Sequence, residues 1–508
     1  MFKILKNTPF GFVFELENDN CYHVDNEYEI YLNGKFHSAT NKNVVSIFGL
    51  KSNTDYNVSF KGLDNLSFIN IRTEKPEYII NVRDYNATGD GITCDTSAIN
   101  AAIYSAPKNS TVFIPKGVYL VNQIFLKNDV DIYLEKGAVI KQNFNRSQLA
   151  ILKGYQRNYD HSEVTINASW EGSPLDCYCS LIYGKDIKNV HIYGDGEING
   201  NGEEGGWWKD PKLKNIAFRQ RNIFLVECEN ISISGIITRN SSSWNVHPFY
   251  STNISFYGVY IESIETSPNT DGLNPESCQN VEIIGCKFSV GDDCIAIKAG
   301  KYFMSKSHYR PTKNVVIRNC HMEKGHGAVV IGSEMSCGVE DVLVSKCLFE
   351  ETDRGLRVKT RRGRGSKAVV DNIKFSNIKM NKVLHCFVVN MFYFCDPDGK
   401  SDYVKNKNVT VKDDETPTVK NIEISNISAT EIIGSAIFIY GLPESKVENI
   451  SIKNNSFQFA DKRINEVPAM MDDFEVIENL GVYINNGENI KLKDNNFIGE
   501  FVNITNEE

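Results

Sequence analysis

The chain has 508 residues, 41% of them hydrophobic and 23% charged, an ordinary balance for a globular protein. Its formal charge of −9 argues against nucleic acid as the main partner, and no run of 18 or more apolar residues marks a membrane span. Thirteen cysteines, an odd number, leave at least one unpaired within the chain.

The opening stretch MFKILKNTPFGFVFELEN has a short apolar patch but no continuous hydrophobic region and no small-residue cleavage site. A cytoplasmic location is the expectation, the alternative being secretion or a periplasmic location with the leader outside this numbering. Residues 1–76 contain short alternating runs, YEIYLNG, VVSIFGL, YNVSF and FINIRTE, separated by turn residues. That pattern predicts a small antiparallel β-sandwich. GLKSNTDYNVSF resembles the penultimate-strand region of fibronectin type III modules.

The second domain is expected over 77–508. NVRDYNATGDGITCDTSAINAAIYSAPKNSTVFIPKGVYLV, at 81–121, reads as a loop, a helix near 95–105 and a strand, suited to closing the end of a solenoid. From residue 189 a four-residue unit recurs ten times: NVHI, NISI, NISF, NVEI, NVVI, DVLV, NIKF, NIEI, NISI and NIKL. Nine of the ten begin with Asn, and Asp341 begins the other. Each unit alternates apolar and polar residues, as a half-buried strand does, and the starts lie 23 to 49 residues apart. A strand that recurs on that scale and cannot bury its own face predicts a parallel β-helix. Cys286, Cys320 and Cys347 all fall six residues into their repeats, where Ile236, Val259, Ile378 and Ile427 stand in others. These thiols are therefore expected as a buried stack rather than as disulfides, which favours a reducing compartment.

The repeat phase gathers polar residues. Asp292 and His326 each lie 12 residues into their repeats, which places them on neighbouring turns, roughly 4.8 Å apart. Asp271 precedes Asp292 by 21 residues, about one turn, and Arg357 and Lys359 share a strand face in the next repeat. Strict alternation would send Asp292 and Asp293 to opposite faces, so a bend at Gly291 is required. An isolated Asp-Asp pair is ordinarily a turn, His326 between two glycines a turn cap, and Arg357 with Lys359 a solvated pair. Together they form a group of carboxylates able to share a proton, the equipment for glycosidic cleavage, beside cations that suit a uronic acid.

Asn269-Thr270-Asp271, Gly291-Asp292-Asp293, Gly325-His326-Gly327 and Arg357-Val358-Lys359 resemble the four signature motifs of glycoside hydrolase family 28, the polygalacturonases. The likeness runs over about 80–500 and departs from the usual pattern in having Val358 between the two cations. It implies a right-handed parallel β-helix that hydrolyses α-1,4-galacturonan with inversion and without metal or other cofactor. It also implies that Asp292 is the general acid, that Asp271 and Asp293 activate water, that His326 tunes the acid, and that Arg357 and Lys359 hold the substrate carboxylate. Asn269 and Tyr393 would contact substrate, while Lys298, Arg310 and the basic run KTRRGRGSK (359–367) would extend the cleft for a polyanion. Trp207 and Trp208 are expected either to stack on sugars or to be buried.

Polygalacturonate or its oligosaccharides are thus the expected partner, with no nucleic acid and no membrane. A rhamnogalacturonan hydrolase of the same family competes with this reading, although those members typically lack the Gly-His-Gly motif. A calcium-dependent pectate lyase and a non-catalytic polysaccharide-binding β-helix compete with it from outside the family. Long connections at 201–229, 298–313 and 383–420, with a likeness of 309–365 to bacterial chain-end cutters, predict release of short products from the non-reducing end.

Overall fold

The computed structural model describes residues 2–63, 67–160, 162–395 and 397–506. The first seven strands are antiparallel and form two sheets. Phe2–Thr8, Gly11–Leu16 and Val44–Phe48 make one, and Lys35–Lys42, His23–Leu32, Asp55–Lys61 and Ser67–Arg72, in that order, make the other. Phe12, Phe14, Tyr28, Ile30, Val58 and Phe60 fill the space between them. This is the expected sandwich.

From Tyr78–Asn81 onward nearly every pairing is parallel, and the chain coils as the parallel β-helix that the repeats predict, right-handed as the resemblance implies. One turn runs through Gln279–Ile284, Lys287–Ser289 and Asp293–Ile297, the next through Thr312–Arg318, His321–Glu323 and Gly327–Gly332. Val281 pairs with Val315 and Ile283 with Ile317, so each apolar residue sits on its equivalent one rung below. Cys286, Cys320 and Cys347 continue such a stack and are fully buried, and every cysteine is free. The helix Thr96–Ser105 covers the first rungs with Ile99, Ala102 and Ile103.

The Asn that opens each repeat has a physical reason. Asn189, Asn230, Asn253, Asn280 and Asn314 all adopt left-handed backbone, φ 56 to 57°, which Asn tolerates better than other residues with a Cβ. Their side chains also form a ladder: Asn253 donates to Asn230, Asn280 to Asn253 and Asn314 to Asn280, at 2.9 to 3.0 Å.

Five residues after that Asn the chain turns left-handed again. Gly235, Gly258 and Gly285 hold this place in three consecutive turns, whereas Asn319, Lys346 and Asn377 hold it afterwards. The glycines lie under the sandwich. A Cβ at Gly235 would come within 2.2 Å of Phe48, at Gly258 within 2.7 Å of Ser46, and at Gly285 within 2.3 Å of Val44. The contact extends to later turns, where Arg318 and Asn319 both donate to the Glu15 carboxylate and Cys21 lies against the carbonyl of Asn377. No helix among the described residues is long and apolar enough to cross a membrane.

Candidate active site

The third face of the coil carries the polar residues, on the flank away from the sandwich. Leu273 pairs with Ile295, which sets Asp271 opposite Asp293, and Asp293 pairs with Gly327 on the next rung. Arg357 and Lys359 sit opposite Val330 and Gly332. The bend expected before the acid pair is present. A Cβ on Gly291 would stand 2.3 Å from the carbonyl oxygen of Ser267, so the chain passes through a gap that only glycine fits. After it, both Asp292 and Asp293 line the same cavity. Asp292 and His326 are neighbours, as their equal phase predicts, and the His326 amide donates to the Asp292 carbonyl at 3.0 Å.

The cavity has a volume of about 250 Å³, and Asp271, Asp292, Asp293, His326, Arg357, Lys359, Lys298, Asn269 and Tyr393 all border it. Lys359 Nζ lies 2.7 Å from Asp293 Oδ2, and Arg357 lies 3.6 Å from Oδ1. That Oδ1 atom is buried and accepts no hydrogen bond from the described residues, which leaves a lone pair for something entering the cavity. His326 Nδ1 is 3.4 Å from Asp292 Oδ1. This contact raises the imidazole to about 9, against the opposing effect of burial. Burial pushes the Asp292 carboxyl up, but His326, Lys359 and Lys298 outweigh it and hold the group well below the usual carboxylate range. Asp271 goes the other way. Burial, and then the negative charge of Asp292, raise it to about 8 even though Asn274 donates to it at 2.7 Å.

At neutral pH Asp271 therefore holds a proton, and His326 carries another beside an ionised Asp292. Close carboxylates that share a proton titrate as a unit, so the form with the proton on Asp292 belongs to the same ionisation state. A cavity so equipped can give a proton to one side of a bond and accept one on the other.

Of the remaining expected residues, Lys298 and Tyr393 border the cavity, the Tyr393 ring facing Lys359 at 5.5 Å and Arg357 at 5.8 Å. Asn269 Oδ1 accepts from Arg219 at 2.6 Å. Arg310 does not take part: its guanidinium is spent on the Tyr250 carbonyl and Thr252 Oγ1, because it caps the start of a neighbouring strand. The basic run is likewise largely structural. Arg362 is buried and grips Glu444 with both arms at 2.6 and 2.9 Å, and Lys367 reaches the Ser305 carbonyl. Trp207 is buried against Tyr178, and the Trp208 indole donates to the Ser241 carbonyl, so neither is a free stacking platform. From 298–313 only Lys298 lines the cavity, whereas 201–229 supplies Lys212 and 383–420 supplies Tyr393 and Cys395.

Against known proteins, the model of glycosyl hydrolases family 28 matches residues 105–473. The chain belongs to this family. It is 31% identical to a probable polygalacturonase of Vitis vinifera over 78% of this chain and 77% of that protein. It is 26% identical to an exo-poly-alpha-D-galacturonosidase of Dickeya chrysanthemi over 83% and 77%. An exopolygalacturonase of Thermotoga maritima superposes with a TM-score of 0.67 at 25% identity, covering 83% of this chain and 93% of the other. A family 28 exopolygalacturonase of Yersinia enterocolitica shares the fold over 96% and 99%, with a TM-score of 0.63 at 20% identity.

This family 28 hydrolase also lines its cavity with Glu171, Lys212, Trp244, Ser333, Glu334, Cys395 and Met470, none of which motif reading singled out. Trp244 was within reach of the repeat arithmetic, since Val246 pairs with Leu273 and so Trp244 falls opposite Asp271. Glu171 and Met470 come from insertions of no fixed phase, which sequence spacing cannot place.

Proposed function

We propose that the enzyme hydrolyses α-1,4-galacturonosyl linkages of polygalacturonate and its oligosaccharides, with inversion, and releases short products from the non-reducing end. The observation that carries the proposal is the cavity in which three aspartates, His326 and the Arg357–Lys359 pair converge. Asp292 is the donor to the leaving oxygen, with His326 as its partner, and general acid catalysis of this kind contributes roughly 10²–10⁴-fold. Asp293, whose Oδ1 accepts no hydrogen bond from the described residues, and Asp271 orient the water and take its proton. Arg357 and Lys359 hold the sugar carboxylate through charge-assisted hydrogen bonds.

Chain-end attack is supported by the walls. On the N-terminal side of the aspartates, Glu171 and Lys212 from two separate insertions pair at 2.8 Å across the cavity. On the C-terminal side stand Tyr393, Cys395 and Met470. A groove for an internal stretch of polymer would run on past both sides. The names of the Dickeya and Thermotoga relatives agree with this reading.

The test follows polygalacturonate viscosity, reducing ends and ultraviolet absorbance together. Chain-end hydrolysis liberates many reducing ends with little loss of viscosity, and mono- or digalacturonate dominates from the start. An early collapse of viscosity refutes the chain-end mode. Products that absorb as unsaturated uronides refute hydrolysis.

A further inference from the structure

Glu334 is a carboxylate in a cavity read as a site for an anion, and it belongs to none of the four motifs. It follows the strand Gly327–Gly332, and Gly332 lies between Lys298 and Lys359 on successive rungs. Its side chain is 10% exposed and Oε2 receives the Lys298 ammonium at 2.9 Å. The same ammonium stands 4.0 Å from Asp271 Oδ2 and 4.6 Å from the centre of the Trp244 ring. Lys298 therefore lies between two carboxylates and is bonded to only one.

The Glu334 stem is itself fixed. Its carbonyl accepts from the Ala299 amide at 2.6 Å, and the insertion that carries Glu171 packs on it through Gly172, where a Cβ would come within 2.8 Å of Glu334 Cγ. Lys301 and Arg364 face the carboxylate as well and, with Lys298, outweigh burial to keep it ionised.

We propose that Glu334 is a positioning residue that holds the Lys298 ammonium away from Asp271, leaving Asp271 free to exchange a proton with Asp292. The proposal rests on the hydrolase reading above and adds a residue to it. Without the Glu334 charge, the carboxyl group left within 4.0 Å of the Lys298 ammonium is that of Asp271. From 4.0 Å the ammonium already lowers the Asp271 carboxyl. Released by Glu334 it is free to close to a hydrogen bond, and a directly paired opposite charge lowers a carboxyl by about 1–3 pH units, the loss of the Glu334 charge itself acting in the same direction. The other charged groups that face Asp271 are Asp292, Asp293 and, from the preceding turn, Arg219. Behind Lys298 lies Glu276, which burial and the Glu334 charge raise to about 8, paired at 2.9 Å with a His247 that burial keeps neutral. While Glu334 is charged, neither serves as a counter-charge to Lys298 at neutral pH.

The experiment measures kcat/KM of the full chain on trigalacturonate from pH 4 to pH 10 for wild type, Glu334→Gln, Glu334→Asp and Lys298→Met. The expected result is a falling limb that moves acidward by about one pH unit or more in Glu334→Gln, stays within a few tenths in Glu334→Asp, and moves alkaline in Lys298→Met. Glu334→Gln added to Lys298→Met moves the limb far less than it does alone. A Glu334→Gln enzyme weaker at every pH with its limb in place means a merely structural residue and overturns the proposal. So does a raised KM alone, which means direct contact with the sugar. If Glu334→Gln does not fold, a Lys298→Met limb at the wild-type pH overturns it equally. A wild type inert on every galacturonide overturns the hydrolase reading together with this one, whereas an active wild type with unmoved limbs overturns this one alone.

Discussion

Gly327→Ala tests whether the spacing between rungs sets the catalytic geometry. Gly327 sits opposite Asp293, and its backbone lies outside the left-handed region, so alanine brings no conformational strain and the whole effect is contact. The added methyl would stand 2.4 Å from Val330 Cγ2, 3.2 Å from Asp293 Oδ1 and 3.9 Å from Arg357 Cδ. The first is more than about 1 Å inside the favourable range for two carbons, and Val330 is fully buried and β-branched, with little freedom to turn away. Overpacking of this kind costs about 1–3 kcal/mol. The second contact needs a few tenths of an ångström from the carboxylate that Lys359 holds. Since a misplacement of about 1 Å costs roughly 10²-fold, a fall in kcat of about 10-fold is expected, with KM changed little. Denaturant unfolding reads the stability, and initial rates on trigalacturonate read the activity. A variant with wild-type midpoint and kcat within twofold would show that the rungs yield more easily than the contacts require, and the argument from spacing would fail.

Asp292→Asn keeps the shape of the site and removes the donor; kcat on polygalacturonate is expected to fall by at least about 10²–10⁴-fold with circular dichroism unchanged, and activity within a few-fold of wild type would reassign the acid. Arg357→Ala and Lys359→Ala should each lower kcat/KM by about 10- to 100-fold, partly mimicked by added salt, and normal turnover of galacturonan in both would point to a neutral glycan. Because Asp271 is raised to about 8 and His326 to about 9, both protons are kept through neutral pH and lost above it, so activity should fall along a limb that begins near pH 8; a profile flat to pH 10 would contradict the shared proton. Asn280→Ala should destabilise the chain by about 1–2 kcal/mol in urea and Asn280→Gly by less, since alanine resists the left-handed turn; equal losses would assign the whole effect to the amide ladder.

The β-helix was legible because its repeats are self-consistent: Asn at the left-handed turn and Ile, Val or Cys at the stacked positions announce rung after rung. The flank of the candidate site followed from the same arithmetic, which set Asp292 beside His326 and placed Arg357 with Lys359 on one face. Arithmetic fails where a side chain reaches off its rung. Arg310 has the charge and position in sequence of a cleft residue, but two hydrogen bonds to its own neighbourhood take its guanidinium. The run after Lys359 reads as a polyanion track, yet Glu444, 82 residues on from Arg362, arrives to bury its charge. Glu334 was invisible for the opposite reason, since a single carboxylate after a glycine-rich strand end carries no signature until Lys298 is seen against it.

A coil whose turns touch only their neighbours resists bending poorly, and shear between turns would open the gap between Asp271, Asp293 and Gly327 as readily as any other. The sandwich acts as a splint against that motion. Phe48, Ser46 and Val44 bear on Gly235, Gly258 and Gly285, Glu15 clasps Arg318 and Asn319, and the Tyr22 amide bonds to the Lys346 carbonyl at 2.9 Å. Those turns, in order, are the ones that carry Trp244, Asp271, the Asp292–Asp293 pair, His326 and the Arg357–Lys359 pair on the far flank. The brace spans the length of the coil that carries the proposed site, and the groups of that site inherit its stiffness from behind.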